Sequence, residues 1–392
     1  MLAESDCVNT KTVPHEVASI VAIETGRNAR TAKMCMLILT HNCNLRCIYC
    51  YEKFKTSRKM TFRTALRCLN EQLDFVRESS KYTWLSVDLF GGEPLLNFDV
   101  IRLLVQWVRD NVKDVNVHFT ISSNGTLLTD EIKVWLLANR DIVFYGVSYD
   151  GSKESQLRNR GMRNESAVDF SRKTWPSQAF RMTIPPDSIV NLSETILTAL
   201  RQGFRIRAEL AGGIYWPREC ASLFLEECRK LKNAFLADQN LPITLLDRFF
   251  KGGEDADISG VVACGSGTRC TCYDVDGRTY ACQMFTPLTV GEKSMPLSEV
   301  DLTQESARED PTCVGCPIRH WCPTCYGMNY AIRGHTSLRD HGMCHMYLTQ
   351  ALVTAELQQQ IRIREPLTRE SAAILKFLLR ICKKIERKLA TI

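Results

Sequence analysis

Eighteen cysteines in 392 residues, most of them gathered into two groups, restrict what this chain can build. The first group is the run Cys43-x-x-x-Cys47-x-x-Cys50. The second holds Cys264, Cys270, Cys272, Cys282, Cys313, Cys316, Cys322, Cys325 and Cys344. In a short secreted protein such a count reads as disulfides, but a long chain without a signal peptide belongs in a reducing compartment, where clustered thiols are metal ligands. The opening MLAESDCVNTKTVPHEV has no cationic region followed by an apolar one, and no segment reaches the roughly 18 apolar residues of a membrane span. The chain therefore reads as cytoplasmic, with no membrane partner. Its 50 basic and 44 acidic residues give a net charge of +6, spread along the chain without a basic stripe interleaved with aromatics, so nucleic acid is not expected either.

Between residues 35 and 215, short apolar runs alternate with amphipathic stretches. The runs are Cys35 to Thr40, Trp84 to Phe90, Val115 to Ile121, Ile142 to Ser148, Ala179 to Ile184 and Phe204 to Leu210. Phe62, Leu66, Leu69, Leu73 and Val76 recur at spacings of three and four, as on one face of a helix, and further helices are expected over Val100 to Val112, Glu131 to Asn139 and Leu192 to Gln202. Six strands alternating with helices imply an α/β fold with a parallel sheet, doubly wound or closed towards a barrel, whose chemistry sits on the loops after the strand C-termini. The organisation read from this pattern is an N-terminal extension (1–34), the α/β core (35–215), a helical bridge (216–260) ending in KGGEDADISG, a cysteine-rich domain (261–350) and a helical tail (351–392). In the tail, Ile374, Leu378, Ile381, Ile385 and Leu389 share one face, with Lys376, Arg380, Lys383, Lys384, Arg387 and Lys388 elsewhere. That face is expected to dock on the protein itself.

Three thiolates on one short loop can hold three irons of a cubane cluster and leave the fourth iron open to a small molecule. A structural zinc site would instead close with a fourth ligand, for which His41 is nearby. Three strand-end loops follow in order: Gly91-Gly92-Glu93-Pro94, Ser122-Ser123-Asn124-Gly125 and Ser148-Tyr149-Asp150-Gly151, with Arg158 and Arg160 shortly after. Each alone reads as a turn. In the second cysteine group a zinc ribbon would use four thiols and strand the rest, whereas two four-cysteine iron-sulfur clusters account for eight.

The cysteine loop, with Tyr49 before its last cysteine, resembles the signature of the radical S-adenosylmethionine (SAM) superfamily, and the ordered loops strengthen that resemblance. It implies a partial (β/α)6 TIM-like barrel and an oxidoreductase. In the family, SAM chelates the open iron through its amino and carboxylate groups and is cleaved to a 5′-deoxyadenosyl radical that abstracts hydrogen. By resemblance, Cys43, Cys47 and Cys50 are the cluster ligands, and Tyr49 lies beside the adenine. Gly91, Gly92, Glu93 and Pro94 face the SAM amino group, Ser123 and Asn124 reach the ribose and methionine, and Ser148 completes the contacts with Arg158, or else Arg160, facing a carboxylate. The second group resembles the SPASM domain of enzymes that modify peptides and proteins. A near auxiliary cluster would use Cys264, Cys270, Cys282 and Cys325, with Cys272 competing with Cys270, and a far one Cys313, Cys316, Cys322 and Cys344. The implied cofactors are SAM and three [4Fe-4S] clusters.

The same resemblance implies maturation of a ribosomally made precursor peptide, by a thioether or other crosslink, with epimerisation and sulfatase maturation as alternatives and an iron-sulfur electron carrier as the non-enzyme alternative. Sulfatase-maturating relatives carry an aspartate after the cysteine corresponding to Cys282. Here that residue is Gln283, which cannot accept a proton at neutral pH, so Glu209 or Asp274 would have to substitute. The 34 residues before the first strand are too few for a leader-binding domain, so a separate protein or the basic C-terminal helices would hold a leader. A flavodoxin or ferredoxin is the expected electron donor.

Overall fold

The computed structural model describes residues 31–247, 249–250, 264–364, 366 and 368–392. Cys7, the extension before residue 31 and the KGGEDADISG segment lie outside them.

Six parallel strands follow one another in chain order. They are β1 (Ala32–Thr40), β2 (Trp84–Gly91), β3 (Asn116–Ser123), β4 (Val143–Val147), β5 (Phe180–Ile184) and β6 (Ile206–Leu210). Hydrogen-bonded pairing runs β1 to β2 to β3 to β4, and β5 to β6 separately; an isolated parallel bridge between Ser148 and Arg181 joins the two parts. The result is a sheet that continues strand by strand, as in a partial barrel. β1 is buried along almost its whole length, as a strand covered on both sides must be, whereas β2 and β3 alternate. The apolar set Leu85, Val87 and Leu89 belongs to the core, and Phe90 and Ser122 of the other set reach the cavity described below.

Helices α1 (Phe62–Glu78), α2 (Phe98–Asn111), α3 (Asp130–Ala138), α4 (Lys153–Arg160), α5 (Glu165–Thr174) and α6 (Leu192–Arg201) alternate with the strands. Their starts are specified locally. The hydroxyls of Thr61, Thr129 and Ser152 accept from the backbone N–H three residues on, opening α1, α3 and α4. The expected α1 stripe is buried at Leu69, Leu73 and Val76, with Ala65 and Cys68 between.

Two elements of the cysteine-rich region complete the sheet. β7 (Cys270–Tyr273) pairs in parallel with β1 on the side away from β2, and β8 (Thr279–Tyr280) pairs antiparallel with β7. The cysteine-rich segment is thereby fixed to the strand that precedes the first cysteine loop.

Helices α7 (Cys220–Ala237), α8 (Tyr326–Arg333), α9 (Cys344–Ile363) and α10 (Arg369–Leu389) follow. α9 is buried over most of its first half and packs against α7 and α10. The expected apolar face of α10 is turned inward: Phe377, Leu378, Ile381 and Ile385 form a second core with Phe249, Phe250, Ile318 and Leu352. Leu378 is fully buried there. Leu378→Ala is expected to destabilise this unit by about 2–5 kcal/mol, read from chemical denaturation. A cost within about 0.5 kcal/mol would mean that α10 is not held by this core. No helix among the described residues is long and apolar enough to cross a membrane.

Candidate functional site

A cavity of about 1050 Å³ opens at the C-terminal ends of the strands and runs on to the cysteine-rich region. Its wall includes Cys43, Tyr49, Gly92, Asn124, Ser148 and Arg160.

The first cysteine loop is shaped by its neighbour. Gly92 N–H donates to Thr40 O and Glu93 N–H to Asn42 O, both at 2.9 Å, which clamps the loop after β2 onto the loop after β1. A Cβ at Gly92 would stand 2.3 Å from Asn42 O, and one at Gly91, whose φ is +140°, 2.4 Å from Thr40 O. These two glycines are required by the approach of one loop backbone to the other. The turn that follows is held by Cys50 N–H donating to Cys47 O. Cys43, Cys47 and Cys50 all face the cavity, and none is in a disulfide. Burial pushes the Cys47 thiol up to about 11, and the neighbouring Cys50 and Cys43 push it the same way, while Arg160 and Lys55 pull it down. Three converging, partly buried thiols of this kind need a bound cation to become thiolates, which is the donor set of a metal or iron-sulfur site.

Glu93 is buried and does not line the cavity; neither does Pro94, which opens a short 3-10 turn. The Glu93 carboxyl accepts from Ser123 Oγ at 2.8 Å, from Asn124 N–H at 2.8 Å and from Leu95 N–H at 3.2 Å. It thereby sets the loop after β3, whose Ser123 and Asn124 do reach the cavity. Burial pushes this carboxyl up to about 7 in spite of those three bonds. Ser148, after β4, also lines the wall.

Tyr49 donates to both Asp150 oxygens, at 2.7 and 3.0 Å, and the Arg160 guanidinium lies 5.3 Å over its ring while bonding Asp150 at 3.0 Å. Of the two arginines after β4, Arg160 lines the cavity. Arg158 does not, because its guanidinium is held by Ser188 at 2.8 Å. The signal that separates them lies in the fold, since Asp150 draws in Arg160.

In the second group, the thiols fall into two sets. Burial, with Cys322, Cys313 and Cys316 adding to it, raises Cys344 to about 12. Cys270 neighbours Cys264, Cys282 neighbours Cys325 and Cys270, and Cys325 neighbours Cys264. Cys272 adjoins Cys270, Cys282 and also Cys35 of β1, and it is fully buried beneath the second set. Cys264, Cys313, Cys316, Cys322, Cys325 and Cys344 line the cavity.

Two candidate bases separate clearly. Asp274 is fully buried, has His41 Nε2 at 2.5 Å and does not reach the cavity, so it is unavailable to a substrate. That pair ties the residue before the cysteine loop to the strand-end of β7. Glu209 and Gln283 both line the wall. The sequence reading missed Arg181 and Arg207, which face the cavity from β5 and β6.

Comparison with known proteins fits this geometry. The Radical SAM superfamily model matches residues 37–172. An uncharacterised protein of Methanocaldococcus jannaschii is 34% identical over 119 residues, 30% of this chain and 39% of that protein. The radical SAM cyclopropyl synthase TigE of Paramaledivibacter caminithermalis is 27% identical over 135 residues, 31% of this chain and 28% of TigE. The matched region thus spans well under two thirds of either relative. Among solved structures, native anSMEcpe with bound AdoMet and Cp18Cys peptide superposes with a TM-score of 0.62 at 18% identity, over 85% of this chain and 99% of that one. With its three-thiol loop and ordered strand-end loops inside the matched region, the chain carries a radical SAM domain of the superfamily, in an α/β fold like that of anSMEcpe.

Proposed function

We propose that this chain is a radical SAM enzyme that oxidatively modifies a peptide, forming a thioether or another intramolecular crosslink. The observation that carries the reading is the one cavity shared by the three-thiol loop, the loops after β2 to β4 and six cysteines of the C-terminal region, Cys264, Cys313, Cys316, Cys322, Cys325 and Cys344. Cys43, Cys47 and Cys50 would hold a [4Fe-4S] cluster. Gly91, Gly92, Ser123, Asn124, Ser148 and Tyr49 would hold SAM beside it, with Arg160 rather than Arg158 facing its carboxylate. Bound there, cluster and SAM supply the one-electron chemistry that removes a hydrogen atom from an unreactive C–H bond.

Glu93 would act one layer out, fixing Ser123 and Asn124. Cys264, Cys270, Cys282 and Cys325 would form the near auxiliary site, and Cys313, Cys316, Cys322 and Cys344 the far one. A crosslink removes two hydrogens from the peptide. One leaves with the adenosyl group of SAM, and the other leaves as a proton and an electron for which the auxiliary sites provide an acceptor. Glu209 is the carboxylate at the wall that can take the proton. The peptide complex of anSMEcpe, a protein of the same fold, supports a peptide substrate. The buried apolar face of α10 leaves Lys383, Lys384 and Arg387 exposed, so any leader held there would meet positive charge.

Sulfatase maturation is the second reading. Gln283 disfavours it by standing at the cavity wall where a base would be wanted.

The test is anaerobic co-expression with a short peptide encoded beside the gene, in deuterated water, followed by intact and fragment mass measurement. A loss of two hydrogens is expected for a crosslink. Uptake of one deuterium at an α-carbon would mean epimerisation, and an unchanged peptide would sink the peptide reading.

A further inference from the structure

We propose that Arg181 and Arg207, adjacent on the cavity face of β5 and β6, form a carboxylate-binding site that seats an acidic side chain of the substrate. The inference rests on the peptide reading above and names the class of peptide.

The backbone puts the two arginines together. Parallel register pairs Arg181 with Arg207 and Thr183 with Glu209. Phe180, Met182, Ile184, Ile206 and Ala208 are buried, so period-two alternation commits the arginines to the other face, where both are exposed and both line the cavity. Like charges on neighbouring strands repel, so such a pair is unfavourable unless an anion lies between them.

Among the described residues, internal charge compensates the pair only weakly. Glu209 Oε1 lies 3.2 Å from Arg207 Nε, but both side chains are about half exposed, which makes this a weak pair. Arg181 has no ion-pair partner among the described residues, and Arg218 adds a further cation to the same wall. The thiols do not require these arginines either. The cations acting on the thiols of the first cysteine loop are Lys55 and Arg160, with Arg181 acting on the adjoining Tyr51, and those acting on Cys313 and Cys322 are Arg339 and Lys388. Two guanidiniums side by side, open to a cavity large enough for a peptide segment, fit a planar carboxylate that accepts two N–H bonds from each. The pair sits on the strands beside the loop after β4, so a carboxylate held there would position the peptide across the cavity.

The test uses reconstituted holoenzyme under anaerobic conditions and two fluorescein-labelled, C-terminally amidated peptides, one alternating Gly with Glu and the other Gly with Gln. Fluorescence anisotropy is expected to show the Glu peptide binding at least about tenfold more tightly. In Arg181→Gln/Arg207→Gln the preference should fall below about twofold, while Arg181→Lys/Arg207→Lys, which keeps the charge but loses the fork, should retain part of it. The exposed cations of α10 are the competing site, so Lys383→Gln/Lys384→Gln/Arg387→Gln must keep the preference. Three results overturn the proposal: no preference in the parent protein, a preference lost in the α10 variant but kept in the arginine variant, or loss of SAM affinity in the arginine variant, which would assign the pair to SAM. The amidated ends exclude a C-terminal carboxylate as the source of binding. Anisotropy needs no turnover, so failure of SAM cleavage would count against the enzyme reading alone, and failure of the acidic preference against this inference alone.

Discussion

Replacing Cys43, Cys47 and Cys50 together by alanine is expected to reduce SAM cleavage, measured as 5′-deoxyadenosine released after chemical reduction, to background. The three side chains face one cavity, and Cys47 has Cys50, Cys43, Lys55 and Arg160 around it. Removing all three takes away the complete donor set at one end while leaving the fold's large apolar groups untouched. The other cysteine sets lie in the C-terminal region, so iron bound there should persist after reconstitution, visible by metal analysis and charge-transfer absorption. A carrier protein would show no SAM cleavage in the parent to lose. Cleavage that survives the triple replacement would move the SAM site elsewhere in the cavity.

That expectation could be framed from the sequence because everything it needs is local. The three cysteines lie within eight residues, and each strand-end loop follows its apolar run directly. The six runs found the six strands for the same reason: alternation of burial is written in neighbouring residues. α4 escaped, since the side it buries is Ser155, Gln156, Asn159 and Arg160, and a helix with a polar buried face leaves no apolar period to read. β7 and β8 escaped because strands of four and two residues carry almost no pattern; their place is set by pairing with β1. The site was opaque wherever a contact joins distant segments. His41 and Asp274 are 233 positions apart, and this buried contact turned a candidate base into a structural partner. The choice of Arg160 over Arg158 and the adjacency of Arg181 and Arg207 likewise depend on how β4, β5 and β6 come together. Short motifs predict which loops carry chemistry. The charges that line the cavity between them are a property of the assembled sheet.

The buried charge at Asp150 gives the second large effect. Asp150 is fully buried after β4 and accepts from Tyr49 Oη, Arg160 Nη2 at 3.0 Å, Asn159 Nδ2 at 3.1 Å and Thr183 N–H at 3.4 Å. Arg160 is itself buried, and its Nε has no hydrogen-bond partner among the described residues, so this carboxylate is its main compensation. Asp150→Asn keeps the shape but leaves the guanidinium buried without a counter-charge, at a cost of about 3–5 kcal/mol. Tyr49→Phe removes one hydrogen bond to a charged acceptor and should cost about 1.5–3 kcal/mol. Adding Arg160→Met to Asp150→Asn should recover most of the loss, because removing both charges removes the desolvation penalty along with the attraction. Chemical denaturation of Asp150→Asn, Arg160→Met and their double replacement measures this as a cycle, with Tyr49→Phe measured beside it. Affinity for SAM provides the functional readout. Since Asp150 orients Tyr49 and Arg160 at the cavity wall, the double variant is expected to regain stability without regaining SAM affinity. Recovery of both together would show that the network holds up the loop but does not position the ligand.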